Sequence, residues 1–114
     1  MKYDHIGIPT TAEKTWCKYL EDCKVHISDP EKDEFRVEWL KFEAGSPMHP
    51  LIQQGPHLAF IVENLDCALS GKNVIVPPFD AAPGVRCAFI DHDGFAVELM
   101  EKSACAVGGG CGCG

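Results

Sequence analysis

Gly55-Pro56-His57-Leu58-Ala59-Phe60-Ile61-Val62 reads as a second copy of Tyr3-Asp4-His5-Ile6-Gly7-Ile8-Pro9-Thr10, and each copy places one histidine in a short apolar run. A segment of helical character follows each run, residues 10–23 after the first and 64–72 after the second. Residues 35–42 and 84–90 then both read as strands leading to a turn and another apolar segment. A unit of roughly 50 residues that recurs outranks any single motif as evidence of architecture. The rival reading is two unrelated hairpins.

A chain of 114 residues makes one domain of ordinary size, so the two modules must share one core. The formal charge of -7, with no block of Lys and Arg, argues against a nucleic-acid partner. No apolar run approaches the roughly 20 residues of a membrane span, and the opening Met-Lys-Tyr-Asp-His has no signal-peptide core. The expectation is a soluble, cytoplasmic protein without nucleic-acid or membrane partners. In that setting the seven cysteines do not form a disulfide framework. Cys17, Cys67 and Cys87 lie inside apolar patterns, where a reduced thiol packs as a small hydrophobe, and Cys23 ends a helix. Cys105, Cys111 and Cys113 belong to a Gly/Cys-rich tail, residues 103–114, that lacks zinc-ligand spacing.

Residues 4–10 have strand character that Pro9 terminates, and Thr10 or Thr11 caps a helix whose stripe of Trp16, Tyr19, Leu20 and Cys23 faces the core. A short strand at 24–27 and a solvated turn at 29–34 lead to the strand 35–42, which is apolar on both faces. Residues 48–52 form a weak closing strand between two prolines, and 53–56 are the linker. The second module repeats the plan: strand 56–62, an Asn64-capped helix, strand 73–76, a proline-rich loop, strand 84–90, the turn Asp91-His92-Asp93-Gly94, and strand 95–100. Each module is βαβββ. His26 and His92 read as exposed.

The duplicated histidine-bearing strands, the loop Asn64-Leu65-Asp66 and the closing Asp93-Gly94-Phe95-Ala96-Val97-Glu98-Leu99 resemble the vicinal oxygen chelate superfamily of glyoxalase I, bleomycin-resistance proteins, extradiol dioxygenases and methylmalonyl-CoA epimerase. The resemblance covers residues 1–102. It implies an α+β fold in which two βαβββ modules, about 1–54 and 55–102, curl a mixed sheet with flanking helices into a cup around a divalent metal ion. Ligands in that family come from the first and last strands of each module, positions that match His5, His57 and Glu98. Aligning residues 85–89 with 37–41 sets Glu98 opposite Pro50 and makes His49 the fourth candidate, with Gln53, Glu43 or no protein ligand as alternatives. Imidazoles and a carboxylate suit zinc, nickel, manganese, cobalt or iron, and the sequence does not choose among them.

Two histidines in equivalent positions of a repeat are hard to read as isolated core residues. Glu98, between Val97 and Leu99, needs a partner when buried, either a metal ion or Arg86. The resemblance then implies Lewis-acid chemistry on a small oxygenated substrate, with Glu98 as the catalytic base. Trp39, Met48, Phe60 and Phe89 are the candidate walls of an apolar pocket. The leading expectation is a glyoxalase-like metal-dependent lyase or isomerase. The alternatives are a drug- or metabolite-sequestering protein of the bleomycin-resistance type and an iron-dependent extradiol-type dioxygenase. A homodimer is expected from the family's habit of pairing modules across chains.

Overall fold

The computed structural model describes residues 1–103. Alternating apolar residues there form eight strands: β1 (Lys2–Pro9), β2 (Lys18–Leu20), β3 (Val25–Ile27), β4 (Val37–Phe42), β5 (His57–Ile61), β6 (Val74–Ala82), β7 (Val85–His92) and β8 (Phe95–Lys102). They make one strongly curled sheet in the order β2-β3-β4-β1-β5-β8-β7-β6. Two short helices, α1 (Pro50–Gln54) and α2 (Leu65–Leu69), and a 3-10 turn at Pro30–Lys32 accompany it. The fold is α+β. No helix among the described residues is long and apolar enough to cross a membrane.

The sheet has two matching halves that meet where β1 and β5 run antiparallel. In each half the first strand pairs in parallel with the last, β1 with β4 and β5 with β8. The registers match as well: Gly7 lies opposite Glu38 and Ala59 opposite Glu98, two residues beyond His5 and His57 respectively. Side chains alternate between the two faces of each strand. On the concave face, Val25, Ile27 and Leu40 pack in the first half, while Ala59, Cys87, Phe89, Ala96 and Met100 line the second. On the convex face, α2 seats Leu65 against Val62, Ala88, Ile90 and Leu99. Asn64 caps α2 by accepting from the Cys67 N–H, and Asp93 and Gly94, both at positive φ, form the tight turn between β7 and β8.

The halves differ in length, and several expectations change with that. Residues 10–23 do not form a helix: an irregular segment leads into β2, which hairpins onto β3 through a turn with Lys24 at φ 49°. A short helix is marginal unless tertiary packing supports it, and here Leu20 instead joins the Val25–Ile27–Leu40 cluster as part of an edge strand. Residues 48–52 are not a strand, because Pro50 at the first helical position starts α1. The closing strand of the first half is therefore β4, which the sequence reading had aligned with β7. Pro77 and Pro78 lie within β6, tolerated because β6 is an edge strand whose pairing with β7 is broken by register shifts.

Of the cysteines, Cys87 is buried, Cys23 is half-buried in the β2–β3 turn, and Cys67 is exposed. Cys17 departs from the expectation of a reduced core thiol, since it is disulfide-bonded. Cys105, Cys111 and Cys113 lie outside the described residues.

Leu65 is fully buried beneath the convex face. Leu65→Ala should lower the unfolding free energy by about 2–5 kcal/mol in urea titration, with the sheet's circular dichroism retained.

Candidate metal centre

The central pairing of β1 with β5 brings the two histidines together on the concave face, with ring centroids 5.8 Å apart. The parallel partners β4 and β8 add Glu38 and Glu98 from register-equivalent positions. All four side chains are almost wholly removed from solvent, at 0–1% exposure. Glu98 Oε1 lies 3.3 Å from both His5 Nε2 and His57 Nε2, and Glu38 Oε1 lies 3.7 Å from His5 Nε2. One ligand atom each from His5, Glu38 and His57 can be drawn within 4.8 Å of one another.

The two 3.3 Å separations fit a shared ion. With metal–nitrogen and metal–oxygen distances of about 2.0–2.2 Å, atoms at adjacent coordination positions lie about 3.0–3.5 Å apart. His5 Nε2, both His57 nitrogens and both Glu98 oxygens make no hydrogen bond among the described residues. The 3.3 Å contacts are ion-pair distances without hydrogen-bond alignment. Buried polar atoms without hydrogen bonds are costly, and a divalent cation would satisfy those that converge, His5 Nε2, His57 Nε2 and Glu98 Oε1. Two imidazoles and two carboxylates suit a borderline ion such as zinc, nickel, manganese, cobalt or iron.

Each imidazole is held differently. Asp4 Oδ2 lies 2.7 Å from His5 Nδ1, so an ionised Asp4, which can only accept, fixes the proton on Nδ1 and turns Nε2 toward the cluster. Burial pulls the His5 pKa down, but the Asp4 hydrogen bond and the Glu98 and Glu38 charges outweigh it and hold it at about 10. Burial likewise raises the Asp4 carboxyl, and the partnership with His5, Lys102 and Arg36 overrides this, lowering it to about 2. Burial also opposes ionisation of Glu98, yet the two imidazoles lower its pKa below the usual carboxylate range.

His57 is fixed by shape. Its ring lies against Gly7, where an added Cβ would meet ring atoms at 2.1–2.7 Å, and it packs edge-on against Phe89 at 5.1 Å. Only glycine leaves room for it.

His49, expected as the fourth ligand, is instead the N-cap of α1, where its Nδ1 accepts from the Leu51 N–H at 3.1 Å. Its alternatives are also engaged elsewhere: Gln53 donates to the Met48 and Ser46 carbonyls, and Glu43 accepts from Tyr19 and contacts His26. The fourth member of the cluster is Glu38. Arg86, the rival partner for Glu98, lies within ion-pair distance of Asp66 and Glu101. The repeat does carry a signal for Glu38, because Phe35-Arg36-Val37-Glu38-Trp39-Leu40 parallels Phe95-Ala96-Val97-Glu98-Leu99-Met100. That match is hidden by spacing, since 33 residues separate His5 from Glu38 and 41 separate His57 from Glu98.

A small cavity of about 40 Å³ beside the cluster is lined by His57, Phe89, Met48, Phe42, Ile52 and Phe79, among other apolar residues. Met48 and Phe89 thus line it as expected. Trp39 and Phe60 do not: strand alternation turns Trp39 away from Glu38 to a surface cleft beside Lys14, and Phe60 packs with Tyr3 and the α2 cluster. His26, expected to be exposed, is half-buried and tilted against Tyr19 at 4.5 Å.

No protein-family model matches the chain, and no curated protein matches it. Among solved structures, it is similar to the crystal structure of hypothetical protein BH1468 from Bacillus halodurans C-125, at 26% identity and a TM-score of 0.68. The match covers 93% of this chain and 97% of that one.

Gly7→Ala should displace the His57 imidazole and lower Zn²⁺ or Co²⁺ affinity at least tenfold by competition with a chromophoric chelator, while the fold survives. In chelator-treated protein, the stabilisation from the raised His5 pKa should be complete below about pH 6.5 and lost as the pH rises through 10. Urea titration should register a loss on the order of a few kcal/mol between pH 7 and 10. The Asp4 contribution runs the other way, present above pH 3.8 and lost as the pH falls through about 2.

Proposed function

We propose that this protein is a glyoxalase-like metal-dependent lyase or isomerase acting on a small oxygenated organic molecule. The observation that carries the reading is the second buried carboxylate: Glu38 and Glu98 approach the cluster from equivalent strands. A proton transfer that removes hydrogen from one carbon and returns it to its neighbour needs a base on one side and an acid on the other. Two carboxylates flanking one site provide both roles. A two-histidine, one-carboxylate set would instead favour the iron-dependent dioxygenase reading.

A divalent ion held by His5, Glu38, His57 and Glu98 would supply Lewis acidity, polarising a substrate carbonyl so that the adjacent C–H becomes acidic. Glu98 would be the base that accepts that proton. Glu38 stands in the equivalent position of the other half to deliver or receive a proton at the neighbouring atom. Phe89, Met48, Phe42 and Ile52 exclude water from the approach, which strengthens the electrostatics and protects the carbanionic charge. A cavity of about 40 Å³ is far below the roughly 300–1,000 Å³ of drug-sized sites, which favours a small substrate over drug sequestration. A homodimer remains part of the proposal, to be read by sedimentation equilibrium.

Loading the protein separately with Zn²⁺, Ni²⁺, Co²⁺ and Mn²⁺ and following solvent-deuterium incorporation next to the carbonyl of small hydroxyketones and 2-oxoaldehydes tests this reading. Glu98→Gln and Glu38→Gln should each slow exchange about 10²–10⁴-fold while retaining part of the metal affinity. His5→Ala and His57→Ala should lose the ion. His49→Ala should cost about 1 kcal/mol of stability through the lost helix cap and leave metal content unchanged. Absence of ion uptake by the wild type, or exchange unaffected in both glutamine variants, would overturn the proposal.

A further inference from the structure

Asp4 sits where β1 breaks its pairing with β5. Tyr3 pairs with Phe60 and His5 with Ala59, so one extra residue of β1 is inserted between two consecutive partners. Phe60 and Ala59 face opposite sides of the sheet. Without the insertion Tyr3 and His5, two residues apart, would share a face. The bulge lets Tyr3 pack edge-on against Phe60 on the convex side while His5 enters the concave cluster.

A bulge leaves backbone groups outside the ladder, and here one side chain meets that need. Arg36, at φ 58° just before β4, donates from Nε to the Asp4 carbonyl and lies 3.3 Å from Asp4 Oδ1 through a terminal guanidinium nitrogen. Lys102 Nζ adds a contact to the same oxygen at 3.6 Å. The second carboxylate oxygen, Oδ2, is left for His5 Nδ1 at 2.7 Å. His57 has no counterpart, since its Nδ1 makes no hydrogen bond among the described residues.

We propose that Asp4, set on the bulge and clamped by Arg36, is the positioning residue that holds the His5 ring with Nδ1–H on the carboxylate and Nε2 facing the cluster. This makes His5 the firmly oriented histidine of the pair and His57 the one held by packing alone. The proposal rests on the reading of the cluster as an ion site. A carboxylate behind a ligating imidazole fixes its tautomer and raises its basicity, and losing such a partner typically lowers metal affinity 10–100-fold.

The test uses Co²⁺ as probe, with affinity read by chelator competition, and ¹⁵N-edited NMR of the histidine side chains in full-length protein. Asp4→Ala should weaken Co²⁺ binding by about 10–100-fold, and Asp4→Asn, which keeps a neutral acceptor, by less. If the alanine variant does not fold, the isosteric asparagine variant carries the test. In chelator-treated wild type, the His5 Nδ1 proton should be shifted downfield and protected from exchange, and both properties should weaken in Asp4→Asn and be lost in Asp4→Ala. Wild type that binds no Co²⁺ would sink the ion-site reading, and the Nδ1 proton would then decide the role of Asp4 alone. Unchanged Co²⁺ affinity together with an unchanged His5 Nδ1 signal in Asp4→Asn would overturn the proposal.

Discussion

Two carboxylates and two imidazoles are buried side by side at the centre of the sheet, and the rest of the structure is arranged to make that arrangement tolerable. Burying one ionised carboxylate without compensation costs several kcal/mol, so burying two in the same place is stable only with positive charge between them. A protonated His5 supplies part of that charge in protein without an ion, which is why its pKa is held so far above the ordinary imidazole value. The parallel pairings of β1 with β4 and β5 with β8 set the Cα positions of all four residues through backbone ladders, independently of the side chains themselves. Such a site is built on the stiffest part of the fold, with both histidine strands in the sheet interior and both glutamate strands paired on each side.

Within this near-symmetric frame the two imidazoles are secured by different physics. His5 depends on a directional hydrogen bond that exists because β1 bulges at Asp4. His57 depends on the absence of an atom, the Cβ missing at Gly7, and on the edge of Phe89. A hydrogen bond fixes a tautomer as well as an orientation, whereas packing fixes orientation alone. The two imidazoles therefore differ in how they are held, although their strands pair in matching register.

The same distinction explains what could be read in advance. The paired histidines and Glu98 were legible because they stand in apolar runs, where a polar residue is conspicuous. Glu38 was not, although Val37-Glu38-Trp39-Leu40 parallels Val97-Glu98-Leu99-Met100. Counting by a fixed period aligned β4 with β7 and shifted the closing strand to a proline-flanked segment that belongs to α1. The apolar stripe from Trp16 to Cys23 fitted a helical period, but hairpin pairing of β2 with β3 decided the conformation there. Propensity is a weak prior when tertiary pairing competes. Trp39 and Phe60 were misplaced for a simpler reason: each lies an odd number of residues from an inward-facing neighbour, Glu38 and His57, and alternation sends it to the other side. The Asp4 bulge left no periodic trace, because one inserted residue is invisible to pattern reading.

Shortening the first half also shapes the entrance. With no helix in residues 10–23, the connection between halves carries α1, and Ile52 packs on the concave side against Phe89 and Ala96. The cup is thereby filled from above by the linker, leaving a space of about 40 Å³ beside His57. A residue lining so small a space discriminates by volume, since filling it with even one methylene beyond its capacity forces strained rotamers or backbone shifts. Under the proposed function, selectivity for a small ligand would follow from Met48, Ile52 and Phe42, while the charged cluster, identical for every ligand that reached it, would set the chemistry. Separating the two tasks in this way would place size selection on the connection between the halves and leave the ladder-bound residues free of it.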